Sequence, residues 1–262
     1  MERESPSVTV CSDLNDLSRE AGALFVQLAN QAVEERGQFT VCLSGGSTPR
    51  QTYALLTQEP LRSQTPWSQV HIFWGDERVI SPDHPDNHHQ MASDILFSKV
   101  PIPPDNIHRM CVENGDSAGV AREYEILLRS FFNLAEGELP RFDLILLGMG
   151  ADAHMASLFP GTSGLKERRS LVAAHYVPKL AADRLTLTVP VLNNARNVVF
   201  LVSGVNKAEA LQLVLQGDDP QADLPARLLR PMDGNVIWMV DKDAASKLNG
   251  STITRQPEVF SQ

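Results

Sequence analysis

Five short, mostly apolar runs punctuate the chain, and each stops abruptly at glycine or polar residues. They fall at Phe39–Leu43, Val70–Trp74, 142–147, 198–202 and 236–240. Apolar runs of this length, bounded by turn residues, read as strands buried on both faces. Between them apolar residues recur at helical spacing, and residues 17–35 predict a long first helix. Strands alternating with helices predict an α/β fold: one mostly parallel sheet as the middle of three layers, with helices on both faces. Residues 184–189 differ, because Leu185, Leu187 and Val189 alternate with Thr186 and Thr188. That pattern predicts a strand with one polar face. The proline-rich stretches at 101–104 and 220–225 predict surface connections, not domain linkers, so residues 1–262 are expected to form one domain.

In open α/β sheets ligands bind beyond the carboxyl ends of the strands. Four polar clusters sit at those ends here, so they are expected to converge on one site. Ser44-Gly45-Gly46-Ser47-Thr48-Pro49 precedes a helical pattern that runs through Leu56. Its two glycines let backbone N–H groups approach an anion at a helix N-terminus, although a simple capped turn has the same composition. Gly75-Asp76-Glu77-Arg78 offers an arginine fork for phosphate or carboxylate and acids for sugar hydroxyls; a solvated charge cluster reads identically. Asn87 is expected to start a helix as its cap or to contact substrate. Lys207 opens a helix after the fourth strand, and Arg184 heads the alternating strand, giving two further candidate cations.

The segment Gly148-Met149-Gly150-Ala151-Asp152-Ala153-His154 is the most informative. A histidine just past a buried strand, beside an aspartate, suits a general base near neutral pH. Gly148, Gly150 and Ala153 also fit a relaxed dinucleotide fingerprint. Pro160 follows too soon for the required helix, however, and no acidic residue ends a strand about 20 positions later. His84, His88 and His89 lie close in sequence, but Pro85 interrupts any shared helix and no further cluster completes a ligand set. No metal and no cofactor are expected.

Charge narrows the partners. A formal net charge of -9 and a pI near 5.2 argue against nucleic acid or an anionic membrane as the main partner. A small anion remains open, since a pocket can gather a few cations inside an acidic whole. No spanning apolar run occurs, and the first six residues do not read as a secretory signal. Cys11, Cys42 and Cys111 are too widely spaced for a disulfide framework, which predicts a reducing, cytoplasmic setting.

Several segments together resemble the 6-phosphogluconolactonase family. They include Ser44 to Pro49, Trp74 to Arg78, Pro82 to Asn87, Val100 to Pro103 and Asn106 to Met110. Asp152 to Gly161, Arg184 to Thr188 and Lys207 to Leu211 complete the set, in the family's order. The resemblance implies a Rossmann-like fold related to glucosamine-6-phosphate deaminase and ribose-5-phosphate isomerase. It implies hydrolysis of 6-phospho-D-glucono-1,5-lactone in the oxidative pentose phosphate pathway, by a monomer or weak homodimer. His154 matches the family's catalytic histidine, with Asp152 expected to orient it. Gly45, Gly46, Ser47, Thr48, Asp76, Arg78, Asn87, Arg184 and Lys207 are expected around the phosphorylated substrate. One departure stands out: the family usually reads Asp-Gly-His where this chain has Asp152-Ala153-His154, and often threonine at Met155. Alanine at a position of positive φ strains or reshapes the loop. Two other readings stay open, an amino-sugar-phosphate deaminase or isomerase and a non-catalytic sugar-phosphate sensor.

Overall fold

In the computed structural model, which describes residues 7–112 and 116–250, the apolar runs become the strands of a single parallel sheet. In chain order the elements are β1 (Ser7–Cys11), α1 (Leu14–Arg36), β2 (Phe39–Leu43), α2 (Ser47–Leu55), α3 (Leu61–Gln64), β3 (Val70–Trp74) and β4 (Asp76–Arg78). There follow α4 (His88–Ile95), α5 (Ser117–Phe131), β5 (Leu144–Leu147), β6 (Val172–Val177), β7 (Ala182–Leu187), α6 (Val189–Asn193), β8 (Asn197–Val202), α7 (Ala208–Gln216) and β9 (Asn235–Asp241). The first six residues, read above for a secretory signal, lie outside the described residues.

The large sheet runs β1-β9-β8-β5-β2-β3, with every neighbouring pair parallel. Every residue of β2 and β5 is buried, so both faces of the sheet centre are covered, as continuous apolar strands require. The core runs as one cluster from Val8 to Ala244. The first helix is longer than its apolar pattern: Asp13 accepts from the Asp16 N–H at its start, and Gly37 ends it at φ 78°. The strand expected at 142–147 begins only at Leu144. Asp143 instead turns its carboxylate to the N–H and hydroxyl of Thr40, which ties β2 and β5 together at their entry. Among the described residues no helix is long and apolar enough to cross a membrane.

Two expectations need correction. The alternating segment forms β7, yet it has no polar face, since Thr186 and Thr188 are as fully buried as Leu185 and Leu187. Their hydroxyls donate to the carbonyls of Leu187 and Ser170, which makes burial affordable. Gly75 to Arg78 is not simply a loop either. Asp76, Glu77 and Arg78 form β4, which pairs antiparallel with β7, and β7 with β6, giving a second sheet of order β4-β7-β6. Asp76 and Glu77 are buried, so the reading of a solvated charge cluster fails. The proline-rich stretches do run largely on the surface, with Ile102 and Pro225 turned inward.

Candidate active site

Strand order reverses between β2 and β5: β3 extends the sheet on one side, and β8, β9 and β1 on the other. Such a switch point opens a crevice at the carboxyl edge, because the connections leaving the two strands diverge. The Ser44–Thr48 and Gly148–His154 loops are the ones that leave β2 and β5, so the sheet brings the two most promising sequence motifs side by side.

The first loop is an open cradle. Gly46 and Ser47 are exposed, and Gly46 caps α2 at φ 106°, ψ 169°, a conformation open to glycine. No side chain caps the helix, which leaves its first N–H groups for an anion. Gly45 is required for another reason. A Cβ there would stand 2.0 Å from Cδ2 and 2.1 Å from Nε2 of His88. His88 is buried and directs Nδ1 at the Asp76 carbonyl, 3.1 Å away. The neighbouring histidines serve elsewhere: His84 Nδ1 accepts from the Asp86 N–H, and His89 packs on Trp74. Among the described residues no group of three or more His, Cys, Asp or Glu side chains could hold a metal ion.

The small sheet supplies the cations. Arg78 and Arg184 stand directly opposite one another across β4 and β7. Like charges so placed repel, and an anion between them would relieve that. Arg78 is partly held by the Asp86 carbonyl at 2.8 Å and carboxylate at 3.3 Å. Burial and the Arg78 charge both press the Arg184 guanidinium pKa downward. On the same face Asp76 accepts from the Ser157 hydroxyl at 2.7 Å, which anchors the His154 loop to β4. Glu77, on the opposite face, accepts from the N–H groups of Arg78, His88 and His89 and so braces the start of α4. Burial raises its carboxyl pKa, against these bonds and His88. Asn87 is also buried and uses its Oδ1 to cap α4 at the Gln90 N–H.

His154 occupies a tight turn closed by Gly150 N–H to His154 O at 2.9 Å and Ala153 N–H to Gly150 O at 3.0 Å. The Gly148–His154 segment after β5 is a turn and starts no α-helix, so the dinucleotide fingerprint lacks its phosphate-binding terminus. Ala153 sits at φ 60° and is fully buried, and Ala156 at φ 47°. Gly150 must be glycine, as a Cβ would fall 2.0 Å from His154 Nδ1. Nδ1 faces Asp152 Oδ1 at 2.5 Å, and since a carboxylate only accepts, Nδ1 carries the proton and Nε2 is left as the basic nitrogen. The other Asp152 oxygen accepts from Lys179 Nζ at 2.6 Å. Burial pushes the Asp152 carboxyl pKa up, but the bonds from Lys179 and His154 outweigh it and hold the group well below the usual carboxylate range. Phe159 stacks on the imidazole, centroids 4.1 Å apart. Lys207 lies close enough for the Asp152 charge to oppose the lowering of its ammonium pKa by burial. Lys179 and His175 carry no signal in the sequence that links them to His154, and although Ser157 and Phe159 share its Asp152–Gly161 segment, nothing in the sequence shows what they contact. Only their positions in space do.

Two hollows lie apart from this crevice, one of about 300 Å³ between α5 and β6 and one of about 400 Å³ beside Arg62 and Trp67. Their linings contain neither His154 nor the opposed arginines.

Residues 12–238 match the family model for glucosamine-6-phosphate isomerases/6-phosphogluconolactonase. A 6-phosphogluconolactonase of Nostoc sp. is 39% identical over 93% of this chain and 98% of its own. One from Synechocystis sp. is 40% identical over 93% and 99%. Among solved structures, the 6-phosphogluconolactonase of Trypanosoma brucei superposes with a TM-score of 0.83 at 30% identity, covering 94% of this chain and 99% of that one. A monomeric glucosamine-6-phosphate deaminase, at TM-score 0.76 and 24% identity over 92% and 99%, shares the fold.

Proposed function

The chain belongs to the glucosamine-6-phosphate isomerase/6-phosphogluconolactonase family, and within it we propose a hydrolase that opens 6-phospho-D-glucono-1,5-lactone to 6-phosphogluconate, as in the oxidative pentose phosphate pathway. The observation that carries this reading is the His154 imidazole. Its Nδ1 is committed to an ionised Asp152, which Lys179 also holds, and its Nε2 is left to act as a base. The cradle of Gly45, Gly46, Ser47 and Thr48, with Arg78, Arg184 and Lys207, binds the 6-phosphate and fixes the ring. His154 Nε2 takes a proton from water, and the resulting hydroxide adds to the C1 carbonyl. Nearby N–H donors stabilise the tetrahedral oxyanion. As the oxyanion collapses, the C1–ring-oxygen bond breaks and the His154 imidazolium returns its proton to the departing ring oxygen. Asp152 supports the imidazolium, and Lys179 keeps Asp152 ionised.

Lactones of this kind hydrolyse unaided at an appreciable rate, so positioning plus one base is sufficient chemistry. A deaminase on the same fold has to release ammonia from an amino sugar phosphate, which makes ammonia the discriminating product. The test generates the lactone in situ and follows 6-phosphogluconate with a coupling dehydrogenase at slightly acidic pH, against a no-enzyme control. Acceleration by the wild type and loss of kcat by about 100-fold or more in His154→Ala, with KM mostly kept, is the expected result. Near-normal turnover in that variant removes His154 as the base. Tight phosphosugar binding without turnover would make the protein a sensor.

A further inference from the structure

His175 lies on β6, directly opposite Arg184 on β7, and is 6% exposed. Both of its nitrogens are used. Nδ1 accepts from the Gly164 N–H at 3.0 Å, and Nε2 lies 2.8 Å from the Ser157 carbonyl, which can only accept. The ring is therefore the neutral Nε2–H tautomer. Gly164 is bound to this arrangement, because a Cβ there would stand 2.6 Å from Nδ1 and Cε1. The two anchored residues bracket a seven-residue step of the loop that contains Phe159, the ring stacked on His154. Ser157 is also the residue whose hydroxyl reaches Asp76 on β4. One imidazole thus joins β6 to both ends of the segment that backs the proposed base.

We propose that His175 is a positioning residue, a neutral clamp that sets the Ser157–Gly164 segment and, through Phe159 and Ser157, holds the His154 ring in its working orientation. The inference rests on the reading of His154 as the base. A space-filling role alone does not account for the geometry: an aliphatic side chain would fill the volume but leave the Gly164 N–H and the Ser157 carbonyl buried without partners. No nitrogen of His175 is left for substrate, which separates it from the groups that touch the lactone. The side chains that could imitate it do so by halves. The asparagine carboxamide oxygen falls near the Nδ1 position and can accept from Gly164. The longer glutamine carboxamide reaches the Nε2 position and can donate to Ser157.

The experiment compares wild type, His154→Ala, His175→Leu, His175→Asn and His175→Gln in the coupled lactonase assay, with circular dichroism and melting temperature recorded for each. Expected is a kcat loss on the order of 10- to 100-fold for His175→Leu, with KM within about twofold of wild type. His175→Gln, which keeps the anchor nearer His154, is expected to recover most of that loss, and His175→Asn little of it. If His175→Leu fails to fold, the Gln and Asn pair decides: equal kcat values, or Asn the better, overturn the clamp. Folded His175→Leu with wild-type kcat overturns it too, as does a KM that rises in step with the fall in kcat. Absence of turnover in the wild type, in contrast, overturns the reading of the site and the clamp with it. Loss in His154→Ala beside full activity in His175→Leu overturns the clamp alone.

Discussion

Replacing Ala153 by glycine isolates the backbone strain in the His154 turn. Ala153 sits at φ 60° with no exposed surface. A side chain in the left-handed region costs about 1–2 kcal/mol, which glycine would recover. Two effects oppose the gain. The buried methyl group is worth about 0.8 kcal/mol. Glycine also widens the unfolded ensemble by about 0.4–1 kcal/mol. The sums nearly cancel, so urea unfolding should place Ala153→Gly within about 1 kcal/mol of wild type. The turn is held besides by Gly150 N–H to His154 O, by Ala226 N–H to Ala153 O and by the Asp152–Lys179 pair. Those bonds do not need the methyl group, so kcat in the coupled assay should change by less than about threefold. Ala153→Val is the control, because a β-branched side chain at positive φ in a filled site should cost about 3 kcal/mol or more. A kcat gain in Ala153→Gly above about tenfold would refute the reasoning, since it would mean that alanine displaces His154 instead of straining its own backbone.

Three further outcomes follow from the same geometry. Lys179→Met removes one donor from Asp152, so its carboxyl pKa should rise towards ordinary values. A depressed carboxyl favours the folded, active form above its unfolded pKa and loses that contribution as pH falls. The acid limb of the kcat profile should therefore move up, with a loss of about threefold to tenfold at neutral pH because Lys179 is largely exposed. Arg184→Met should raise KM by about tenfold or more with little change in kcat. Stability without ligand should hold or rise, because a like-charged cross-strand pair is gone; an unchanged KM would take Arg184 off the phosphate. His71 and His108, 3.2 Å apart and packed on Phe131 and Phe73, form a pair outside the site. Burial lowers both pKa values, that of His108 to about 4, with the His71 charge adding to the effect. The unfolded chain binds protons that the folded pair refuses, so stability should fall as pH drops from about 6.5 towards 4, and His108→Phe should flatten that fall in a melting-temperature series.

Strand β2 and the edge strand β3 coincide with their apolar runs in the sequence, and the turn into α2 follows β2 as its glycines and serines suggest. A parallel strand covered on both faces must be mostly apolar, and glycine with serine suits the point where the chain bends into a helix. Both are local demands, legible without partners. Asp152 and His154 were legible for the same reason, as neighbours in one loop after one strand. The sequence could also show that an alanine occupies a glycine's place, but the positive φ of Ala153 is visible only in the folded backbone.

Tertiary structure alone decided the second sheet. Asp76, Glu77 and Arg78 have no strand period to read, and they form a strand because β7 pairs with them. Thr186 and Thr188 look like a solvent face, yet the layers above them cover both. Lys179 reaches Asp152 across 27 positions and His175 reaches Ser157 across 18. Periodicity records which face of an element is covered. It carries nothing about which residue of another element will lie against it, because that register is set by packing between segments distant in the chain.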